Sequence, residues 1–141
     1  MINNLSDYFL PQQEFYLDHI TYNRLQTTSQ RLEYSLNCID NIEAVLENNS
    51  VKLTIRRILN FEPEEIFELS VSFGAILTFN DRKDEYDWSS INLSEEFREN
   101  GEFIIGNLMH RISLLISQIT SSFGQPPIIL PPILASKQSV E

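Results

Sequence analysis

Apolar residues recur at three- and four-residue intervals along the last third of the chain, between Phe103 and Phe123. This spacing is that of one face of an α-helix. Gly124 then supplies a residue suited to a helix C-terminus, and Pro126-Pro127 prevents the helix from continuing. The pattern predicts one long helix, whose buried stripe consists of Ile105, Leu108, Met109, Ile112, Leu115, Ile116 and Ile119.

Alternation of apolar and polar residues predicts four antiparallel strands before that helix. The alternation slips at Arg57-Ile58, which predicts a β-bulge, and Gly74 predicts either a bulge or a close approach to the backbone. Residues 40–50 combine helical spacing with a turn signal, so a loop or a single helical turn is expected there. The four strands are expected at residues 15–24, 31–37, 51–61 and 66–80.

The remaining segments complete an α+β arrangement, a four-stranded antiparallel sheet backed by one long C-terminal helix. Asn92 or Ser94 is expected to cap a short helix that ends at Gly101. Tyr86 and Trp88 are expected to anchor the charged connection before it against the sheet. The prolines of the apolar tail exclude helix and sheet ladder, so residues 128–134 are expected to lie extended on an apolar surface. The predicted organisation is an irregular segment 1–13, a single domain 14–134 and a polar tail 135–141.

Charge and composition narrow the class of protein. The chain carries 10 Lys and Arg against 20 Asp and Glu, a formal net charge of -10, and so lacks the basic footprint of a nucleic-acid binder. The same acidity disfavours anionic membrane surfaces, and no apolar run approaches the length of a membrane span. The N-terminal residues lack the basic and apolar regions of a secretory signal, so a cytoplasmic protein is expected.

The search for catalytic or metal-binding residues finds no candidate set. His19 and His110 have no neighbours at metal-ligand spacing, and Cys38, the single cysteine, has no partner histidine nearby. The carboxylates of residues 62–65 lie in a predicted hairpin turn, where a solvated loop explains them better than acid–base chemistry. We therefore expect no enzyme activity, no metal site and no cofactor.

The chain has more apolar surface than one helix and one sheet can bury. A sheet has two faces, and one helix covers only one of them. Ile76 lies among the polar alternates of its strand, and residues 128–134 add five large aliphatic side chains. Such an excess indicates an oligomer or a groove for an apolar partner, with a single closed core as the alternative.

Over residues 14–134 the sequence resembles the SecB-like export chaperones. The resemblance rests on the hairpin 51–80 with its run Gly74-Ala75-Ile76-Leu77, on the helix entry Leu93-Ser94-Glu95-Glu96-Phe97, and on the long helix that begins at Gly106-Asn107-Leu108 and closes in the prolines up to Pro131. It implies a homotetramer, built as a dimer of dimers, that holds unfolded or precursor polypeptides in apolar grooves without ATP, in that family for protein export. The client-binding residues expected from it are Phe73, Ile76, Phe103, Ile104, Met109, Ile129, Leu130 and Ile133.

Two departures from the family pattern change what the resemblance implies. The strand before Gly74 has Glu68-Leu69-Ser70 where a Leu-x-Glu is expected, and His19 and Asn23 replace acids, so docking of the translocase motor is doubtful. The family's second helix is expected to be absent or vestigial, which suits a stand-alone or toxin–antitoxin-associated relative. The alternative to a general holdase is a dedicated protein–protein module, such as a partner-specific antitoxin chaperone or a mobile-element accessory protein.

Overall fold

The structure is a computed structural model, and it describes residues 2–26 and 34–135. Four long strands precede two helices, with short 3-10 turns at Leu5–Tyr8, Lys83–Glu85 and Trp88–Ser90. The elements are β1 (Phe9–Arg24), β2 (Ser35–Glu47), β3 (Ser50–Glu62), β4 (Phe67–Phe79), α1 (Leu93–Asn100) and α2 (Glu102–Ser121).

The strands form one antiparallel sheet in the order β1-β4-β3-β2. Hairpins join β2 to β3 at Asn48-Asn49 and β3 to β4 at residues 63–66. β1 pairs with β4, so β1 and β2 are the edge strands. This arrangement confirms the predicted α+β fold with a four-stranded antiparallel sheet.

The long helix α2 packs against one face of the sheet, which we call the inner face. Ile104, Ile105, Leu108, Met109, Ile112 and Ile116 are buried, and they lie over the inward residues of β3 and β4. Gly124, three residues beyond the helix end, has the positive φ of 79° that glycine adopts without strain. The predicted helix and its terminator are thereby confirmed, although Leu115 and Ile119 are only half-buried.

The short helix α1 is capped as the sequence predicts. The Asn92 side-chain oxygen accepts the N–H of Glu95 at 3.2 Å, and Gly101 follows the last helical residue. Phe97 of α1 is fully buried, and the Ser94 hydroxyl accepts the N–H of Ala44 on β2 at 3.0 Å. α1 thus lies against the β2 edge and closes part of it.

The N-terminal segment is more regular than its polar sequence indicates. Residues 1–13 are predicted to be irregular, but Leu5–Tyr8 forms a 3-10 turn and β1 begins at Phe9. Trp88 is buried against Phe9, with ring centroids 6.0 Å apart, and its indole N–H donates to the carbonyl of Lys83 at 2.6 Å. The expected anchoring of the connection by Trp88 is therefore present, and the same aromatic cluster orders the N-terminus.

The predicted loop or helical turn is wrong for residues 40–47, because β2 continues unbroken to Glu47, whereas the turn signal is confirmed by the hairpin turn at Asn48-Asn49. Ile42 and Leu46 face inward, while Ile39 and Val45 are exposed on the opposite, outer face. Apolar residues on both faces hide the alternation and imitate helical spacing. The strand predicted at 31–37 is observed from Ser35 onward, and its residues 31–33 lie outside the described residues.

The predicted bulge at Arg57-Ile58 is also wrong. The pairing of β3 with both neighbours runs through Arg57 without a register shift, and its side chain points inward opposite Asp40. The alternation of apolar and polar residues is interrupted there because a charged residue, Arg57, occupies a buried core position. Register shifts occur instead in β1. At Gly74 the predicted close approach to the backbone is confirmed, because the Tyr16 ring lies directly on the glycine.

No helix in the described ranges is both long and apolar enough to cross a lipid bilayer.

Candidate functional site

An open apolar groove lies at the end of the sheet where β1 finishes and β4 begins. The end of α2 and the first residues of the tail form its other side, and its volume is about 530 Å³. This volume lies within the range of ligand pockets in proteins. We call it the groove, and its lining residues are Tyr22, Arg24, Phe61, Ile66, Phe67, Thr120, Phe123, Gln125, Pro126 and Ile128.

Aromatic rings form the floor of the groove. Phe123 lies 5.3 Å from Tyr22 and 5.4 Å from Phe67 between ring centroids, and Phe61 lies 5.1 Å from Phe67. Phe67 is buried, whereas Tyr22 and Phe123 remain 43% and 37% exposed. Rings in this position offer a large apolar area at a small cost in side-chain entropy. The groove can therefore accept apolar side chains of varied shape.

The tail leaves the groove and crosses the inner face of the sheet outside any helix or strand, as predicted, but it bends at Pro132 and Ile133 instead of staying extended throughout. The N–H of Ile128 donates to the Thr120 hydroxyl at 2.8 Å. Ile128, Leu130 and Leu134 pack against the core, while Ile129 and Ile133 are 77% and 64% exposed. Apolar side chains of this exposure are available to a partner.

A buried ion pair holds the far part of the tail. Arg57 donates from Nε and Nη2 to the two carboxylate oxygens of Asp40 at 2.7 and 2.8 Å, and their side chains are 2% and 0% exposed. The guanidinium also donates to the carbonyls of Pro131 at 3.0 Å and Ile133 at 2.7 Å. The N–H of Ala135 donates to Asp40 at 2.6 Å. The ion pair is thus completed by tail backbone.

Burial and charge act in opposite directions on the groups around this ion pair. Burial lowers the pKa of the Arg57 guanidinium, but the hydrogen bond and charge of Asp40 outweigh it, so the pKa is raised above its ordinary value. Burial raises the pKa of the neighbouring Cys38 thiol, with Arg57 acting against it. The cation is therefore firmly charged and the thiol is held neutral.

Three of the sequence-predicted client-binding residues lie in the tail beyond the groove. Ile129 and Ile133 project into solvent, and Leu130 is half-buried against the core. Phe73, in the middle of β4, is half-buried on the inner face opposite Ile55 and Leu17. These four share one side of the sheet with the groove.

The other four predicted residues lie elsewhere. Ile104 and Met109 are fully buried in the core beneath α2, so their side chains offer no surface to a client in this structure. Phe103 is half-buried against Phe97, with ring centroids 6.3 Å apart. Ile76 lies on the outer face of β4. The structure therefore does not bring the eight residues into a single site.

The groove aromatics were missed by the sequence analysis. Tyr22 and Phe61 lie near the ends of β1 and β3, Phe67 begins β4, and Phe123 follows α2. Only the pairing of the strands brings them together. The available signal was the presence of aromatic residues at strand ends, beside a turn, where packing alone does not require them.

Four antiparallel strands in the order β1-β4-β3-β2, with a long helix on the inner face and an extended tail, define a SecB-like fold. The chain is similar in structure to the SecB-like chaperone Rv1957 of Mycobacterium tuberculosis, solved in complex with a ChAD peptide from the Rv1956 HigA1 antitoxin. The two chains share 15% sequence identity and superpose with a TM-score of 0.67 over 92% of this chain and 93% of that chain. No protein-family model matches the sequence, and no curated protein matches it. The structural likeness confirms the fold expected from the resemblance.

Proposed function

We propose that this protein is an ATP-independent holdase that binds unfolded polypeptides and catalyses no reaction. The observation that carries the proposal is the aromatic groove, which opens to solvent beside the exposed Ile129 of the tail. The solvent-exposed apolar surface of Tyr22, Phe123 and Ile129 adds little to the stability of a small acidic protein, and a binding role explains it. The likeness of the fold to a chaperone solved with a bound peptide supports the same role.

Apolar burial supplies the affinity in this mechanism. Client side chains enter the groove at Tyr22 and Phe123, and each buried aliphatic group contributes about 1–2 kcal/mol. Shape-tolerant contacts of this kind give low sequence specificity. The net charge of -10 keeps the protein and its complexes dispersed.

We further propose that the protein acts as a homo-oligomer, with the tetramer as the expected state. The support is the solvent-facing side of α2, where Leu114 is exposed beside the small residues Ser117 and Ser121. Small side chains let two helices approach closely, and a leucine among them would be buried by such an approach. The SecB-like chaperones that the sequence resembles act in protein export, and we extend that role to this proposal. Client binding in the groove does not depend on a contact with the translocase motor.

A dedicated partner-binding module is the second candidate. It is favoured by the nature of the ligand in the Rv1957 structure, which is a peptide from one antitoxin. A dedicated module would recognise a particular sequence through the same groove, whereas a holdase would accept many.

A panel of chemically denatured proteins separates the two candidates. We expect the protein, at equimolar ratio and without ATP, to suppress light scattering from at least three unrelated denatured proteins. Suppression of a single protein from the panel would support the dedicated module. No suppression at any ratio would contradict the holdase function.

A further inference from the structure

The buried ion pair binds the last described part of the tail, residues 131–135, only through tail backbone, and the Leu134 side chain packs separately against the core. We call this segment the strap. Arg57 donates to two carbonyls of the strap that are two residues apart, Pro131 and Ile133, and Asp40 accepts the N–H of Ala135. None of these three bonds involves a strap side chain. Every polypeptide carries such carbonyls and N–H groups along its backbone, whatever its side chains are.

The ion pair is costly at this position unless its hydrogen bonds are used. Its neighbours on the inner face are apolar pairs, Ile42 with Ile55 and Cys38 with Leu59. Replacing a buried ion pair by apolar residues is often neutral or stabilising, so stability alone does not account for its presence. Arg57 and Asp40 direct their remaining hydrogen-bonding groups away from the sheet, where polypeptide backbone can bind them.

The path of the strap continues the groove. Ile128 lines the groove, Pro131 and Ile133 lie over Arg57 of β3, and Ala135 reaches Asp40 on the edge strand β2. A polypeptide that enters the groove and continues in this direction meets the strap at once. The strap therefore covers the surface that a long client would use next.

We propose that the Arg57–Asp40 pair is a sequence-independent binding site for extended polypeptide backbone, and that the strap is its built-in occupant, displaced by a bound client. This inference rests on the holdase function proposed above. The strap contains Pro131 and Pro132, which keep their carbonyls but lack N–H groups, so a proline-free client has two backbone donors that the strap does not have. The buried pair remains satisfied in both states, because one backbone replaces the other.

Hydrogen exchange of the Ala135 amide tests the displacement directly in the full-length protein. The probe is reduced and carboxymethylated α-lactalbumin, which stays unfolded. At saturating probe, the Ala135 amide should lose its bond to Asp40 and exchange about tenfold faster or more. Binding with unchanged or slower exchange at Ala135 would overturn this inference alone. Absence of binding would overturn the holdase function and this inference together.

A matched pair of variants tests whether the strap competes energetically. Ala135→Pro removes the N–H from which Asp40 accepts a hydrogen bond. Ala135→Val keeps this N–H and changes only the side chain. Because the strap then binds the ion pair less tightly, the affinity of Ala135→Pro for the probe should rise by about threefold to tenfold. Ala135→Val should stay within about twofold of the wild type. Equal affinities of the two variants would show that the strap does not compete with the client for the ion pair.

Discussion

Arg57 occupies an inward position of β3 that the alternation of the strand reserves for an apolar side chain. Its charge is compensated by Asp40 on the neighbouring strand, at 2.7 Å. A single sequence shows only that Arg57 interrupts the pattern. The partner is 17 residues away, in a segment whose strand character is itself hidden, so the ion pair could not be predicted.

Removing Arg57 alone should destabilise the protein severely. Arg57→Met leaves the Asp40 carboxylate buried without its cation, so we expect the free energy of unfolding in urea to fall by about 3–5 kcal/mol. The double variant Asp40→Leu plus Arg57→Met removes both charges and should recover at least half of that loss. Equal protein concentrations keep any oligomer contribution constant. A loss below about 1 kcal/mol in Arg57→Met would contradict a buried, compensated pair.

The contact of Tyr16 with Gly74 joins β1 to β4 on the outer face of the sheet. A Cβ at Gly74 would overlap the Tyr16 ring, so Gly74→Ala should cost about 1 kcal/mol of stability or more. In a Tyr16→Ala background the overlap is gone, and the same change should be neutral or stabilising because glycine is unfavourable in a strand. The free energies of unfolding of the four proteins in this cycle measure the coupling. Equal effects of Gly74→Ala in both backgrounds would show that the ring does not restrict this position.

At the scale of elements, the sequence predicts those segments whose two faces differ. β4 and α2 each have one apolar and one polar face, and both are observed close to their predicted bounds. β2 fails because Ile39 and Val45 make its outer face apolar as well. The early start of β1 is missed because Tyr8 and Phe9 are buried against Trp88, an aromatic partner that is distant in sequence.

The exposed isoleucines of the tail give a prediction for this element. Ile129→Ser plus Ile133→Ser should change the melting temperature by less than about 2 °C, because both side chains are exposed. Client affinity should fall by about tenfold, with most of the loss at Ile129, which borders the groove and precedes the strap. A large drop in melting temperature with unchanged client affinity per folded molecule would show that the tail is a stabilising lid.

At the scale of the whole molecule, the groove exists only after the fold has formed. Its aromatic floor takes Tyr22, Phe61, Phe67 and Phe123 from four separate parts of the chain. The resemblance to the SecB-like family predicts an apolar client-binding site, and the groove is the site that we propose for it. The resemblance could not identify these residues, because that depends on strand register and on where α2 ends.

The oligomeric state is a second prediction at this scale. The exposed face of α2 around Leu114 leads us to expect a tetramer of the 16.4 kDa chain at micromolar concentration. Sedimentation velocity measures this directly, and Leu114→Lys should shift the distribution toward smaller species. A stable monomer in the wild type would contradict the prediction.

The central claim, that the groove binds unfolded polypeptide, is tested most directly by the affinity of Phe123→Ala for carboxymethylated α-lactalbumin. Fluorescence anisotropy is the measurement. Leu10→Ala is the matched control, because Leu10 is similarly exposed but lies at the opposite end of β1. We predict that Phe123→Ala weakens binding by about tenfold or more, while Leu10→Ala stays within about twofold of the wild type. Equal affinities of the two variants, with both proteins folded, would contradict the claim.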